Sequence, residues 1–187
     1  MRITIVGLGK VGSALAIELT KSGETVFAVI DKKKEILKRV SNASKIKIAN
    51  SDLTQDIVNR TDIIIISIKD DDLVNYILKI RNIDFEDKIL VHTSGVLTSE
   101  VFSSLKVKKS LVASMHPAQT FTKLSISNNH LLRGIYFGLE GGSEAIKVLK
   151  MLIKVLNSNS VIFSKSKKSL YHLGCVVSSN FLAANFY

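Results

Sequence analysis

One cysteine, Cys175, and one proline, Pro117, occur in 187 residues. A lone thiol forms no internal disulfide and no cysteine-cluster zinc site, so a reducing cytoplasm is the expected compartment. Acidic residues are also few: 16 Asp and Glu stand against 26 Lys and Arg, a formal charge of +10 with a pI near 9.7. Such a surface attracts nucleic acid, anionic lipid or an anionic metabolite. The lysines, however, fall in short clusters at 32–34, 106–109 and 165–168 between apolar runs. That pattern fits solvated surface, and a phosphate-bearing cofactor uses the same field, so no nucleic-acid partner is expected.

Several reaction-bearing motifs are missing. There is no Walker-type GK[ST] loop, no serine-hydrolase elbow and no histidine pair at metal-ligand spacing, so no metal is expected. Asp70-Asp71-Asp72 reads as a solvated helix N-terminus, and Cys175, with no cationic neighbour in sequence, as a packing residue. Met1–Thr20 imitates a signal peptide, yet Lys10 and Glu18 interrupt it. The uncharged stretch 169–187 carries His172, Ser178, Ser179, Asn180 and Asn185, too polar for a membrane span, and reads as a buried helix.

What is present is a normal globular balance, 46% hydrophobic and 22% charged. Strand and helix patterns alternate from the first residue: a strand over Arg2–Val6, a helix over Val11–Lys21, a strand over Thr25–Ile30 and a helix from Asp31 to Val40. A short strand lies at Ile46–Ala49, a brief helix at Leu53–Arg60 and an almost unbroken apolar strand at Asp62–Ile68. The rhythm continues with a helix at Asp71–Arg81, a strand at Lys88–His92, a helix near Thr98–Leu105 and a strand at Ser110–Met115. A strand at Gly134–Leu139, a helix at Ser143–Leu156 and a strand at Ser160–Phe163 follow. Continuous apolar strands are buried on both faces, which predicts an α/β protein with a doubly wound, mostly parallel sheet. The pattern from Lys168 to Tyr187 is a long helix with no strand after it. The expected division is therefore a first domain over 1–164 and the opening of an incomplete helical domain over 165–187.

Gly7-Leu8-Gly9-Lys10-Val11-Gly12 is a GxGxxG motif between a strand and a helix, the context it requires. Gly7 makes the tight turn, Gly9 admits a diphosphate to the backbone and Gly12 lets helix and strand pack. The helix N-terminus offers free N–H groups and the positive end of its dipole. Asp31, at the end of the next strand, is placed to accept ribose hydroxyls of NAD; its other reading is an N-cap for the following helix. Lys32, with Lys33 and Lys34, offers charge to the extra phosphate of NADP, so the choice between NAD(H) and NADP(H) stays open. Ligands on such sheets lie beyond the carboxyl ends of strands. Ser67-Ile68-Lys69-Asp70, His92-Thr93-Ser94-Gly95 and Met115-His116-Pro117 sit there. Ser67, Ile68 and Lys69 are expected at the cofactor, and Asp70 there or as a helix cap.

Four of these segments together resemble a known family: GLGKVG from Gly7, HTSG from His92, MHPAQTF from Met115 and YHLGCVVSSNFLAA from Tyr171. The family pairs a Rossmann-like NAD(P)-dependent oxidoreductase domain with a helical C-terminal domain long labelled as of unknown function. Pyrroline-5-carboxylate reductase and the 6-phosphogluconate and β-hydroxyacid dehydrogenases are its neighbours, and one branch is similar to a second class of ketopantoate reductase. The resemblance covers essentially the whole chain. It implies a homodimer formed through C-terminal helices, with family members continuing past Tyr187.

Reduction of a carbonyl needs a proton for the developing alkoxide and donors for the substrate's carboxylate. His116, before the sole proline and at a strand end, is one candidate; the alternative is a loop histidine satisfied by backbone. His172 opens the last helix, with Ser179 almost under it two turns on and Asn180 about 80° round the same side. The stripe fits either a wall of the cofactor cleft or polar residues buried against a dimer mate. The related dehydrogenases carry a lysine and an asparagine on the corresponding helix; no lysine sits within this stripe, so His172 or Tyr171 stands in. Ser94 and Asn180 are expected to orient substrate or nicotinamide. His92 reads as a strand-end residue and His130 as surface loop. The expectation is an NAD(P)H-dependent reductase of a small anionic carbonyl substrate, with ketopantoate first; an imine reductase of the pyrroline-carboxylate type and a dinucleotide sensor without turnover are the alternatives.

Overall fold

The computed structural model describes residues 1–121 and 130–178. Eight strands form one sheet in the order β3-β2-β1-β4-β5-β6-β7-β8. They are β1 (Arg2–Val6), β2 (Thr25–Ile30), β3 (Ile48–Asn50), β4 (Ile63–Ile66), β5 (Ile89–His92), β6 (Val112–Pro117), β7 (Tyr136–Gly141) and β8 (Asn159–Ile162). The first six run parallel, β7 is antiparallel to β6, and β8 is parallel to β7. The helices are α1 (Lys10–Lys21), α2 (Lys34–Ser44), α3 (Gln55–Asn59), α4 (Asp70–Lys79), α5 (Ser143–Val155) and α6 (Lys168–Val176). This is the expected doubly wound α/β architecture, a Rossmann-like fold.

Both faces of the sheet are covered, and β4 shows why its sequence is four consecutive isoleucines. Side chains alternate along a strand. Ile63 and Ile65 enter the layer under α1, α2 and α5, with Ile3, Ile5, Leu15, Val91, Leu139 and Leu149. Ile64 and Ile66 enter the opposite layer with Val6, Ile30, Leu73, Ile77 and Phe102. All four are essentially inaccessible to solvent. Burying each such side chain is worth about 1.5–3 kcal/mol, so a central strand needs no polar face.

Four local expectations are revised. The segment 98–105 is a 3₁₀ helix at Ser99–Ser104, because Ser99 and Phe102, three residues apart, are both pinned inward. The strand read at Ser110–Met115 begins two residues later, after a 3₁₀ turn at Lys109–Leu111. The strand read at Gly134–Leu139 is shifted to Tyr136–Gly141, since pairing with β6 from Ala113↔Gly141 to Pro117↔Phe137 fixes its ends. Asp31 does not cap α2, which starts at Lys34 with Lys33 as its N-cap residue and no side-chain cap. The last helix is described to Ser178; Ser179, Asn180 and the rest of that pattern lie outside the described residues.

Candidate functional site: a glycine loop and a histidine–tyrosine cluster

The loop after β1 crosses the carboxyl ends of β2, β1 and β4, where chain direction around the sheet reverses. Gly7 adopts φ +85° and its N–H donates to the Ile30 carbonyl at 2.8 Å. At Gly12 an added Cβ would run into the Gly7 carbonyl, which is the close contact between α1 and the loop. Gly9 is different: a Cβ there would meet nothing within 4 Å. The hollow beside it is open, and the first turn of α1 has no side-chain cap, so its outward N–H groups are available to an anion. Asp31 braces the loop. One carboxylate oxygen accepts the Leu8 N–H at 2.7 Å and the other accepts the Lys33 N–H at 2.9 Å.

Two clefts flank this loop. One, of about 480 Å³, is lined by Gly7, Asp31, Lys32, Lys33, Ser51, Tyr76 and other residues at the ends of β1 and β2. The other, of about 530 Å³, runs from Gly9, Lys10 and Val11 past Ser67, Ile68, Lys69 and Ser94 to His116 and His172. The two hollows meet at Ile68, and every cofactor residue expected from the sequence except Leu8 and Gly12 lines one of them. Leu8 is buried in the core, presenting backbone alone.

At the inner end three rings meet. The His116 Nδ1 lies 3.2 Å from the Tyr171 hydroxyl, and the His116 and His172 rings meet edge-on with centroids 5.6 Å apart. Phe163 stacks on Tyr171 at 4.4 Å. Gly95 and Gly138 make the cluster possible. A Cβ on Gly95 would press on His172 Nδ1 and lie 2.9 Å from His116 Nε2, and one on Gly138 would overlap the Tyr171 ring. The same Tyr171 hydroxyl donates to the His116 carbonyl at 3.4 Å, and His116 Nε2 faces Gly95 and the inner cleft. Burial, reinforced by His172 and Lys168, pushes the His116 imidazole down to about 4. Burial also pushes the Tyr171 phenol up, out of the physiological range. Both groups are neutral near pH 7. A further hollow of about 760 Å³, lined by His116, Gln119, Thr120, Tyr171, His172 and Cys175 among others, opens on the outer side of the cluster.

The structure brings His116 and His172 together and places Ser94 beside them. The Ser94 hydroxyl oxygen accepts the N–H groups of Val96 at 3.1 Å and Leu97 at 2.9 Å, so it shapes its own turn. His92 is a strand end, as expected, but wholly buried. Its Nδ1 accepts the Ser94 N–H at 3.2 Å and its Nε2 pairs with the Thr98 carbonyl at 3.1 Å, which fixes the neutral tautomer. Two residues escaped sequence reasoning. Lys168 belongs in sequence to a cluster that reads as solvated, yet it is 1% exposed, and its Nζ donates to the Ser114 hydroxyl. Glu140 is 3% exposed and accepts the N–H and the hydroxyl of Ser99, each at 2.8 Å. The available signal was spacing: Lys168 precedes His172 by four residues, one helical turn on the same face.

Among the described residues no group of histidine, cysteine, aspartate and glutamate could hold a metal ion, and no helix is long and apolar enough to cross a membrane. The family model described as "NADP oxidoreductase coenzyme F420-dependent" matches residues 2–95, just over half of the chain. The chain belongs to that family. It is an NAD(P)-dependent oxidoreductase family, and its cofactor is a nicotinamide dinucleotide. A second model, described as a domain of unknown function (DUF2520), matches residues 135–187. No curated protein matches the sequence. Protein TM1727 from Thermotoga maritima is 23% identical with a TM-score of 0.73, the match covering 97% of this chain and 65% of that one. Prephenate dehydrogenase from Aquifex aeolicus is 18% identical with a TM-score of 0.78, covering 95% and 65%. A reductive aminase from Aspergillus terreus, in complex with NADPH and ethyl-5-oxohexanoate, is 16% identical with a TM-score of 0.75, covering 99% and 63%. At these identities the likeness is one of fold, and the chain spans less than two thirds of each of these proteins, 63–65%.

Proposed function

We propose that this chain carries the coenzyme-binding and part of the substrate-binding surface of an NAD(P)H-dependent reductase acting on a small carboxylate-bearing carbonyl, with 2-dehydropantoate as the first substrate to test. The observation that carries the reading is convergence: the open hollow at Gly9 and the His116–Tyr171–His172 cluster end on one cleft. When bound, the dinucleotide supplies a hydride at its nicotinamide. The chain's own residues supply the rest. The α1 N-terminus, with Lys10 beside it, holds the diphosphate. Asp31, Lys32 and Lys33 meet the adenosine ribose, where lysine charge favours a 2′-phosphate. His116, in the tautomer that carries its proton on Nε2 with Nδ1 turned to Tyr171, donates a hydrogen bond to the reacting oxygen. Tyr171 fixes that ring's tautomer. Ser94 and Asn180 orient the substrate or the nicotinamide amide. Residues 1–164 form the dinucleotide unit, and the segment from Lys165 opens a helical part through which two copies pair.

Imine reduction is favoured by the burial of His116 among Gly95, Tyr171 and His172. A histidine held near 4 is a poor donor of a full proton at pH 7, whereas an iminium substrate arrives already protonated and needs none. The test uses the full-length protein. NADPH and NADH fluorescence titrations give the coenzyme affinity, and loss of nicotinamide absorbance is then followed with 2-dehydropantoate and with pyrroline-5-carboxylate. Turnover of the first alone supports the carbonyl reading, and turnover of the second alone the imine reading. Tight coenzyme binding with neither substrate turned over, in either direction, overturns both in favour of a sensor.

A further inference from the structure

The sheet row that contains the start of the site changes character half-way across. In register, Ile30, Val6 and Ile66 are followed by His92, Ser114 and Glu140. Three apolar positions thus give way to three polar ones on the same face, all six within the interior. The polar half is roofed by Ser99, whose N–H and hydroxyl go to Glu140, and by Lys168, whose ammonium donates to Ser114. Ser114 in turn lies 3.3 Å from the Glu140 carboxylate. An aliphatic side chain would fill this volume at no desolvation cost, so a lysine here calls for another explanation.

Geometry supplies it. Along β6, Ser114 and His116 share a face two residues apart, about 6.6 Å by strand rise. Along α6, Lys168 and His172 are one turn apart, about 6 Å by helix rise. Helix and strand therefore run in step, Lys168 over Ser114 and the pair Tyr171–His172 over His116. Fixing the first contact fixes the second.

We propose that Lys168 is a positioning residue: its buried ammonium, bonded to Ser114 and through it linked to Glu140, sets the register of α6 on the sheet and the electric field in which His116 and His172 work. The charged and titratable groups around it are Glu140 on β7, His92 on β5, His116 on β6, Asp70 at the start of α4, and Tyr171, His172 and Cys175 on its own helix. Burial lowers the ammonium to about 8 against the pull of Glu140 and Asp70. Its charge in turn adds to the burial that holds His92 and His116 down. The functional consequence rests on the reductase reading above; the electrostatic one does not.

The test follows the imidazole carbon resonances of the full-length protein by NMR between pH 3 and 10. In the natural protein, the His92 and His116 signals show a second inflection near pH 8, where Lys168 loses its charge. In Lys168→Met that inflection disappears and the His116 titration moves up by about half a unit or more. Ser114→Ala keeps the charge and so keeps the inflection, while amide exchange in the first turns of α6 speeds up about tenfold. A role in packing alone would change stability without touching the inflection. Its absence in the natural protein overturns the proposal, as does an unmoved His116 in Lys168→Met; should that variant fail to fold, the natural protein's titration decides. NADPH fluorescence measured on the same samples reads the reductase hypothesis separately. Loss of coenzyme binding with the inflection intact sinks that hypothesis alone.

Discussion

Gly9 and Gly12 look equivalent in the motif but fail differently when replaced. Gly9 has open space where a Cβ would stand, so Gly9→Asp is accepted by the fold while its carboxylate occupies the diphosphate hollow. Coenzyme affinity is expected to fall about 100-fold or more with little change in melting temperature, read by fluorescence titration beside calorimetry. Gly12→Ala drives a methyl group into the Gly7 carbonyl. It is expected to cost about 3 kcal/mol of stability in urea denaturation before any effect on binding can be read. The motif was legible because both constraints are local: a turn with positive φ and a helix start are written within six residues. Asp31 was legible as the acidic residue ending the strand after the loop but not as the brace of the Leu8 N–H, because that bond joins positions 23 apart along the chain.

Elements show the limits of pattern reading more sharply. The 3₁₀ helix at Ser99–Ser104 and the polar row beneath α6 meet at Glu140, and neither explains itself alone. Glu140→Ala removes the acceptor of both Ser99 donors and the counter-charge of Lys168. An uncompensated buried charge remains, so a loss of about 3–5 kcal/mol is expected by chemical denaturation. A change within 1 kcal/mol would mean that the row is not a unit. Helix periodicity placed His172 on its stripe but could not show Lys168 facing inward, because the preceding cluster of lysines carries no sign of which one is covered. The expectation of a mostly parallel sheet likewise left open which strand is reversed, and it is β7. Apolar periodicity reads the same in either direction, so the residues of a strand do not record it.

The molecule as a whole keeps two histidines neutral, His92 wholly buried and His116 half-buried at the cleft, and that has a signature in acid. Burial holds His92 near 3 and His116 near 4, against an ordinary value of 6.5. Both folded values lie below the unfolded one, so from pH 6.5 downward the unfolded chain takes up protons that the folded chain refuses. Stability is full above pH 6.5 and is lost progressively as pH falls from there toward 3. His92 alone contributes a loss of about 3 kcal/mol at pH 4.5, to which His116 adds with the same sign. Urea midpoints measured from pH 7.5 to 4.5 check this, and His92→Gln should flatten the slope in that window. An unchanged slope would place the acid sensitivity elsewhere.

By itself the sequence determined the strand–helix alternation, the two-faced burial of β4, the glycine loop and the candidacy of His116 and His172. Each of these is carried by short-range pattern: periods of 2 and 3.6, a turn that needs glycine, a ring beside the only proline. Tertiary structure alone decided which polar residues are buried together. Lys168, Ser114, Glu140 and Ser99 come from four separate segments, and their charges and donors make sense as partners once strand register and helix step bring them within hydrogen-bonding distance. A one-dimensional pattern records how far each residue is from its neighbours in the chain; desolvation and pairing depend on distance in space, which only the folded sheet supplies.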